Sequence, residues 1–229
     1  MKAECWKVGM LEWLIAAGIV VLSIIPSFHL SAQHVAIGPQ IVFGDYREVS
    51  ANLRYRGSGI GAAATVSWRK FGATVLFSKL QYKPVDDPFD TFNDFDATEI
   101  DLRLRYSVAG PVSAEIGFLR READPEFEAQ SVAAVTAGGR MAYLLGPGVR
   151  MALTGGLLFG SKFSGGGSTG ALGALQLGLG LTVDALRGRV QATGDYGFQR
   201  FSRETNDGSG AAKVPIQQSV ARVGFAIAF

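Results

Sequence analysis

Large apolar side chains recur at every second position along most of this chain. In the run Ile100-Asp101-Leu102-Arg103-Leu104-Arg105-Tyr106-Ser107-Val108 the even positions are apolar, while Glu99, Asp101, Arg103 and Arg105 hold odd ones. Successive side chains of a strand point to opposite faces, so a period of two predicts a β-strand with two unlike sides. The alternation returns in Val112, Ala114, Ile116 and Phe118, in Val149, Met151, Leu153, Leu157 and Phe159, and in Leu175, Leu177, Leu179, Leu181 and Val183. Val190, Ala192, Tyr196 and Phe198 repeat it once more, and the chain ends on Val223, Phe225, Ile227 and Phe229 with Arg222, Gly224, Ala226 and Ala228 between and before them. One face suits lipid and the other a crowded interior.

The links between these strands carry a second period. Tight links at 69–72, 109–111, 145–148 and 185–188 alternate with longer polar ones at Lys83 to Asp96, Arg121 to Glu128, Lys162 to Thr169 and Ser202 to Pro215. Short turns at one end and long loops at the other are the asymmetry of a barrel spanning an outer membrane. The fold class predicted is therefore all-β, a transmembrane antiparallel up-and-down β-barrel. Counting back from Phe229 puts strands near 216–229, 189–201, 170–184, 149–161, 128–144, 112–121, 97–108 and 73–82, with 50–69 and 35–47 before them. Even parity favours ten. The alternative is eight strands with residues 34–56 as a lead-in or plug; Gly57-Ser58-Gly59 reads either as the first hairpin's loop or as a kink in one long strand begun near Ser50.

The amino-terminal stretch breaks the alternation. Lys2 and Lys7 precede an uncharged run from Leu14 to Ile25, followed by Pro26 and the small pair Ser31-Ala32. That order predicts a secretory signal peptide over residues 1–33, cleaved after Ala32 or Gln33, leaving a barrel domain over 34–229. The apolar run is shorter than the roughly 20 residues a membrane-crossing helix needs. The single cysteine, Cys5, lies in this segment, so the mature chain is expected to have no disulfide and no thiolate ligand. Lys2 and Lys7 balance Glu4 and Glu12, and the net charge of +2 gives no footprint for nucleic acid.

The closing strand, with its aromatic carboxyl terminus, resembles that of bacterial outer-membrane barrels. The resemblance implies that Val223, Phe225, Ile227 and Phe229 form the label read by the barrel-assembly machinery. Across nearly the whole mature chain the pattern resembles the small OmpA/OmpX-type barrels, and more loosely the porins. Residence in the outer membrane of bacteria is then expected, with lipid, lipopolysaccharide, periplasmic chaperones and the assembly machinery as partners. In strand number the chain is similar to omptin proteases, and in general form to outer-membrane lipid A deacylases. Both resemblances imply a catalytic histidine near the outer rim, yet no histidine occurs from Val35 to Phe229, so neither activity carries over. A zinc site fails on the same count. No catalytic residue, cofactor or metal is assigned.

Trp68, Phe71, Tyr106 and Tyr143 near the short links, and Tyr82, Phe118, Phe159 and Phe198 near the long ones, are expected to form two interfacial girdles. The faces opposite the apolar ones carry Asn52, Arg54, Glu99, Asp101, Arg103, Arg105, Glu115, Arg121, Arg140, Arg150, Gln176, Asp184, Arg189, Asp195 and Arg222. Charges shielded from lipid must pair or meet water, because isolated ions in low dielectric are very unfavourable. A lumen network is expected from Arg54, Glu99, Asp101, Arg103, Arg105, Glu115, Arg140, Arg150, Asp195 and Arg222. The loop containing Asp86, Asp87, Phe89, Asp90, Phe92, Asp94, Phe95 and Asp96 lacks the EF-hand spacing and reads as an acidic surface loop bridged through divalent ions to lipopolysaccharide, its alternative being a Ca²⁺ site on the aspartates covered by the phenylalanines. Arg120, Arg121, Lys162, Arg200 and Arg203 are candidate contacts to lipopolysaccharide phosphates. The function expected is a non-enzymatic structural or surface-interaction barrel with a braced lumen. Its alternative is a narrow porin-like channel for small solutes, or a lateral conduit for hydrophobic ones as a resemblance to the OmpW family implies. A membrane barrel should be extracted only with detergent and migrate differently on a gel before and after boiling; recovery from the periplasm without detergent would point instead to a soluble sandwich.

Overall fold

The computed structural model describes residues 33–85, 92–124, 126–206 and 211–229. Residues 1–32 of the expected signal segment, and residues 86–91 of the acidic loop, lie outside them. Ten strands are found among the described residues: β1 (Gln33–Glu48), β2 (Leu53–Trp68), β3 (Phe71–Pro84), β4 (Phe95–Ala109), β5 (Val112–Asp124), β6 (Val132–Gly146), β7 (Val149–Phe163), β8 (Ser168–Ala185), β9 (Val190–Asn206) and β10 (Ala211–Ala228). Each pairs antiparallel with its sequence neighbours, and β1 and β10 close the ring. The closing seam runs from Ala36 opposite Ala228 to Glu48 opposite Ile216. That seam excludes the eight-stranded alternative with residues 34–56 as a plug.

The outward faces carry the apolar alternation. Ile41, Phe43, Val75, Phe77, Leu102, Leu104, Leu177, Leu179, Val223, Phe225 and Ile227 are all exposed. At the short-turn end Trp68, Phe71, Tyr106 and Tyr143 also face outward, with Phe71 5.1 Å from Tyr106 and stacked 6.3 Å from Trp68. A bilayer offers no partners for backbone N–H and C=O groups, so β-structure crosses it only as a closed ring with such an exterior. The chain is an outer-membrane β-barrel.

The strands are longer than a membrane requires. They run from 13 to 18 residues, against about 9–11 for a tilted crossing strand. The surplus, roughly five residues at about 3.3 Å each along strands tilted by about 40°, continues the barrel on the order of 12 Å beyond the bilayer at the long-loop end. There the side-chain pattern inverts without any slip in backbone phase. In β3 the outward series Phe71, Val75, Phe77 passes into Lys79, Gln81 and Lys83, while the inward series Thr74, Leu76, Ser78 passes into Leu80 and Tyr82. In β4 the outward Leu104, Leu102 and Ile100 give way to Asp96, and the inward Arg105, Arg103, Asp101 and Glu99 to Ala97 and Phe95. β9 does the same, with Arg200 and Glu204 outside and Phe201 inside.

This inversion explains where sequence expectation and structure part. The polar stretch Ser202 to Pro215 was expected as a long loop, but Ser202 to Asn206 pair with Pro215 to Ala211 as strand. Polarity there marks water outside the barrel and not irregular backbone. Tyr82 was expected in the outer girdle and is buried in the lumen instead. The Gly57-Ser58-Gly59 stretch lies inside continuous β2, paired with Tyr82, Gln81 and Leu80, so its reading as a hairpin loop is wrong and the turn lies at 49–52. The strand expected from residue 128 starts at Val132, because Glu128–Gln130 form a short 3-10 turn.

A single outward substitution tests the belt. Leu102→Arg or Leu179→Arg should destabilise the folded barrel in lipid by about 2–4 kcal/mol. Lys79→Arg, above the belt, should be silent in the same urea titration.

Candidate functional site: the lumen

Three layers fill the barrel interior. The first, at the long-loop end, is apolar and tightly packed. Tyr46 of β1, Tyr55 of β2, Tyr82 of β3 and Phe95 of β4 converge there with Phe127, and all are buried. Phe95 stacks on Tyr82 at 4.8 Å and on Phe127 at 4.4 Å, and Tyr55 meets Phe127 edge-on at 4.9 Å. Offset and edge-to-face geometries of this kind add to the area buried. Two glycines make the packing possible: a Cβ on Gly44 would stand 2.3 Å from Tyr82 Oη, and one on Gly57 would stand 2.8 Å from its ring. Leu80, Leu119, Leu158, Phe163, Phe201 and Ile216 complete the layer.

Arg203 of β9 ties two connecting segments over this layer. Its guanidinium donates to the carbonyls of Gly165 and Gly166 at 2.9 Å each and to Gln130 Oε1 at 2.7 Å, and lies 5.2 Å from the centre of the Phe163 ring. Ser131 Oγ accepts from the Ala123 amide at 2.8 Å.

The second layer is ionic and spans the lumen. Glu99 of β4 receives Arg121 of β5 at 2.8 Å and Arg222 of β10 at 2.7 Å. Arg222 reaches on to Asp195 of β9 at 3.1 Å and Ser78 of β3 at 3.3 Å; Arg121 donates to Gln199 of β9 at 2.7 Å. Five strands are thereby joined, and the links β4 to β10, β3 to β10 and β5 to β9 cross the lumen between strands that backbone pairing does not connect. Gln218 donates to Tyr82 Oη at 3.2 Å, linking this layer to the aromatic one. Beside it Arg103 pairs with Asp101 on its own strand.

The third layer is open. A cavity of about 440 Å³ extends from the β4–β5 turn at Gly110 and Pro111 up to Glu99 and Gln199, lined by Arg105, Arg140, Ser113 and Thr154 among others. Near its mouth Arg150 pairs with Asp184 at 2.7 Å, and Gln191 donates to Asp184 at 3.0 Å and lies 3.2 Å from the His34 ring.

Of the residues expected in the lumen network, Glu99, Asp101, Arg103, Asp195 and Arg222 are brought into ionic contact, while Arg105, Glu115 and Arg140 face the interior without an ion pair among the described residues. Arg150 belongs to the mouth. Arg54 is a correction: its neighbour Tyr55 takes the inward position, and Arg54 points outward and pairs with Asp45 of β1. Phe95 is a second, since it is the first residue of β4 and packs inside, not in a surface loop. Asp96 lies on the outer face of β4 paired with Lys79, Asp94 pairs with Lys83, and Phe92 is exposed. Asp86, Asp87, Phe89 and Asp90 lie outside the described residues. Arg203, expected as a rim contact to phosphate, is buried inside, and so is Arg121, which was placed both on the inward faces and among the rim contacts; Arg120, Lys162 and Arg200 do face outward. Arg121 has the same parity as Ser113 and Glu115, which is the signal that put it on the inward face. Val223, Phe225, Ile227 and Phe229 share the outer face. Among the described residues no group of His, Cys, Asp and Glu is arranged to hold a metal ion.

No protein-family model and no curated protein matches the chain. Among solved structures it is similar to the β domain of the Bordetella autotransporter Brka, with TM-score 0.47 and 14% identity over 85% of this chain and 100% of that one. It is similar also to Neisserial surface protein A, with TM-score 0.42 and 11% identity over 84% and 96% of the two chains. A third likeness is to the outer membrane protease OmpT from Escherichia coli, with TM-score 0.41 and 7% identity over 89% and 98%.

Removing Glu99 takes from Arg121 its ion pair and leaves Arg222 with Asp195 alone. Glu99→Gln should lower stability by about 3–5 kcal/mol, as for other buried pairs that lose one partner. Lys213→Ala, which breaks the exposed pair with Glu204, should change it by less than about 1 kcal/mol. Urea unfolding of both variants in the same lipid compares the two.

Proposed function

We propose that this barrel is a non-enzymatic structural and surface-interaction protein whose lumen is closed to the exterior. The observation that carries the reading is the aromatic layer: Tyr55, Tyr82, Leu80, Leu119, Leu158 and Phe201 are almost wholly inaccessible to solvent at the long-loop end. A water column cannot pass through groups packed at van der Waals contact, and ions need one. Beneath that layer the Glu99, Arg121 and Arg222 cluster binds strands on opposite sides of the lumen, which favours a brace over a pore lining.

The outer face of the barrel extension supports interaction at the cell surface. Arg56, Lys79, Lys83, Arg120, Lys162, Arg200 and Lys213 project outward there, interleaved with Asp96, Glu122 and Glu204. A mixed, predominantly cationic ring just above an apolar belt suits the phosphates of lipopolysaccharide, each contact being charge-assisted. The absence of a histidine from Val35 onward supports the non-enzymatic part of the reading.

Planar-bilayer recording tests it. The wild-type barrel should give no steady single-channel steps, and a variant in which the layer is emptied, Tyr82→Ala with Phe95→Ala, should give them if it retains heat-modifiable migration. Reproducible steps from the wild type would overturn the closed lumen and favour the narrow-channel alternative.

A further inference from the structure

Charges in the lower lumen do not balance. Glu99 and Asp195 are shared between Arg121 and Arg222, Asp101 is taken by Arg103, and Asp184 by Arg150. Two arginines and one carboxylate are left over: Arg105, Arg140 and Glu115. Among the described residues neither arginine stands in an ion pair. Arg105 has one bond, to Ser67 Oγ at 3.3 Å, and Arg140 Nε is buried and bonded to nothing. Arg105 lies opposite Glu115 across the β4–β5 pair and Arg140 lies opposite Ser113, two residues along the same face of β5, so both arginines flank one stretch of wall and Glu115 between them offsets only one of the two charges. Both side chains are half-buried and face the cavity, where a guanidinium lacking a carboxylate partner is free to form charge-assisted bonds to an anion that enters.

The surroundings fit the same purpose. Arg105 lies opposite Gly72 on β3, where a Cβ would stand 2.7 Å from its Nη2, so the absent side chain leaves room for the guanidinium against the wall. Arg140 on β6 lies opposite Ser113 on β5. Ser67, Ser113 and Thr154 line the same cavity and bring hydroxyl donors to it. Its volume, about 440 Å³, is within the range of small-molecule sites, and its mouth lies at the short-turn end, which in such barrels is the periplasmic side.

We infer that the vestibule below the ionic layer is an oxyanion-binding site, in which Arg105 and Arg140 clamp the phosphate or carboxylate group of a small solute entering from the periplasmic mouth. Guanidinium forks match both groups and form charge-assisted bonds with them. Glu115 sets the net charge of the empty site at about +1 and tunes its affinity downward. The site lies beneath the aromatic layer and stands whether or not the lumen conducts.

Titration calorimetry on the full barrel in detergent, at constant ionic strength, tests the site with inorganic phosphate in one series and acetate in another. Saturable uptake of either probe, weakened at least about tenfold in Arg140→Gln and in Arg105→Gln and strengthened in Glu115→Gln, is the expected result, and the stronger probe identifies the group. Boiled and unboiled gel migration of each variant establishes that it is folded; Glu115→Gln relieves no ion pair and keeps the measurement decisive if an arginine variant misfolds. No saturation with either probe, or binding unchanged in folded Arg105→Gln and Arg140→Gln or in Glu115→Gln, overturns the inference.

Discussion

Glu99 is the point at which this barrel is held across its width. Backbone pairing makes the ring but acts only between adjacent strands, and it leaves the lumen free to change shape. Glu99 receives Arg121 from the next strand and Arg222 from the far side of the seam, and through them Asp195, Gln199 and Ser78 are drawn in. Glu99, Arg121 and Arg222 would each be unfavourable if buried alone, so each depends on the others for its place in the lumen. The aromatic layer sits directly on this cluster, coupled to it by Gln218 and Tyr82. The open vestibule lies directly beneath.

The alternation of side chains made the strands, their number and the closing seam legible, because a period of two survives any choice of environment. Which face is inside was legible only where one face is charged and the other uniformly apolar, as for Glu99, Asp101, Arg103 and Arg222. Near the long loops the outer face turns polar and the inner apolar: the assumption that apolar means outward misplaced Tyr82, and reading polar stretches as loops put Phe95 and Arg203 at the surface and left Arg121 assigned both to the inward face and to the rim. Arg54 was misplaced for the converse reason, being polar and outward where the exterior is water. Pairings between distant strands, such as Arg222 with Glu99, depend on stagger around the ring, which local pattern does not encode.

The positions of closure and cavity both follow from where water lies around the barrel. Beyond the bilayer the exterior is aqueous, so burying aromatic and aliphatic groups in the lumen is driven by the hydrophobic effect in the ordinary way. Within the bilayer the exterior is hydrocarbon, and an apolar side chain gains no comparable transfer energy by turning inward, so the inward positions pass to charged and small residues. Those cannot pack to a dry core without leaving ions unsatisfied, and the result is a paired layer over a wet vestibule. A barrel whose strands stopped at the membrane surface would lose the aromatic layer with the extension. Its ionic layer would then be the only barrier between the two sides, and the same inward charges that brace this lumen would line a passage through it.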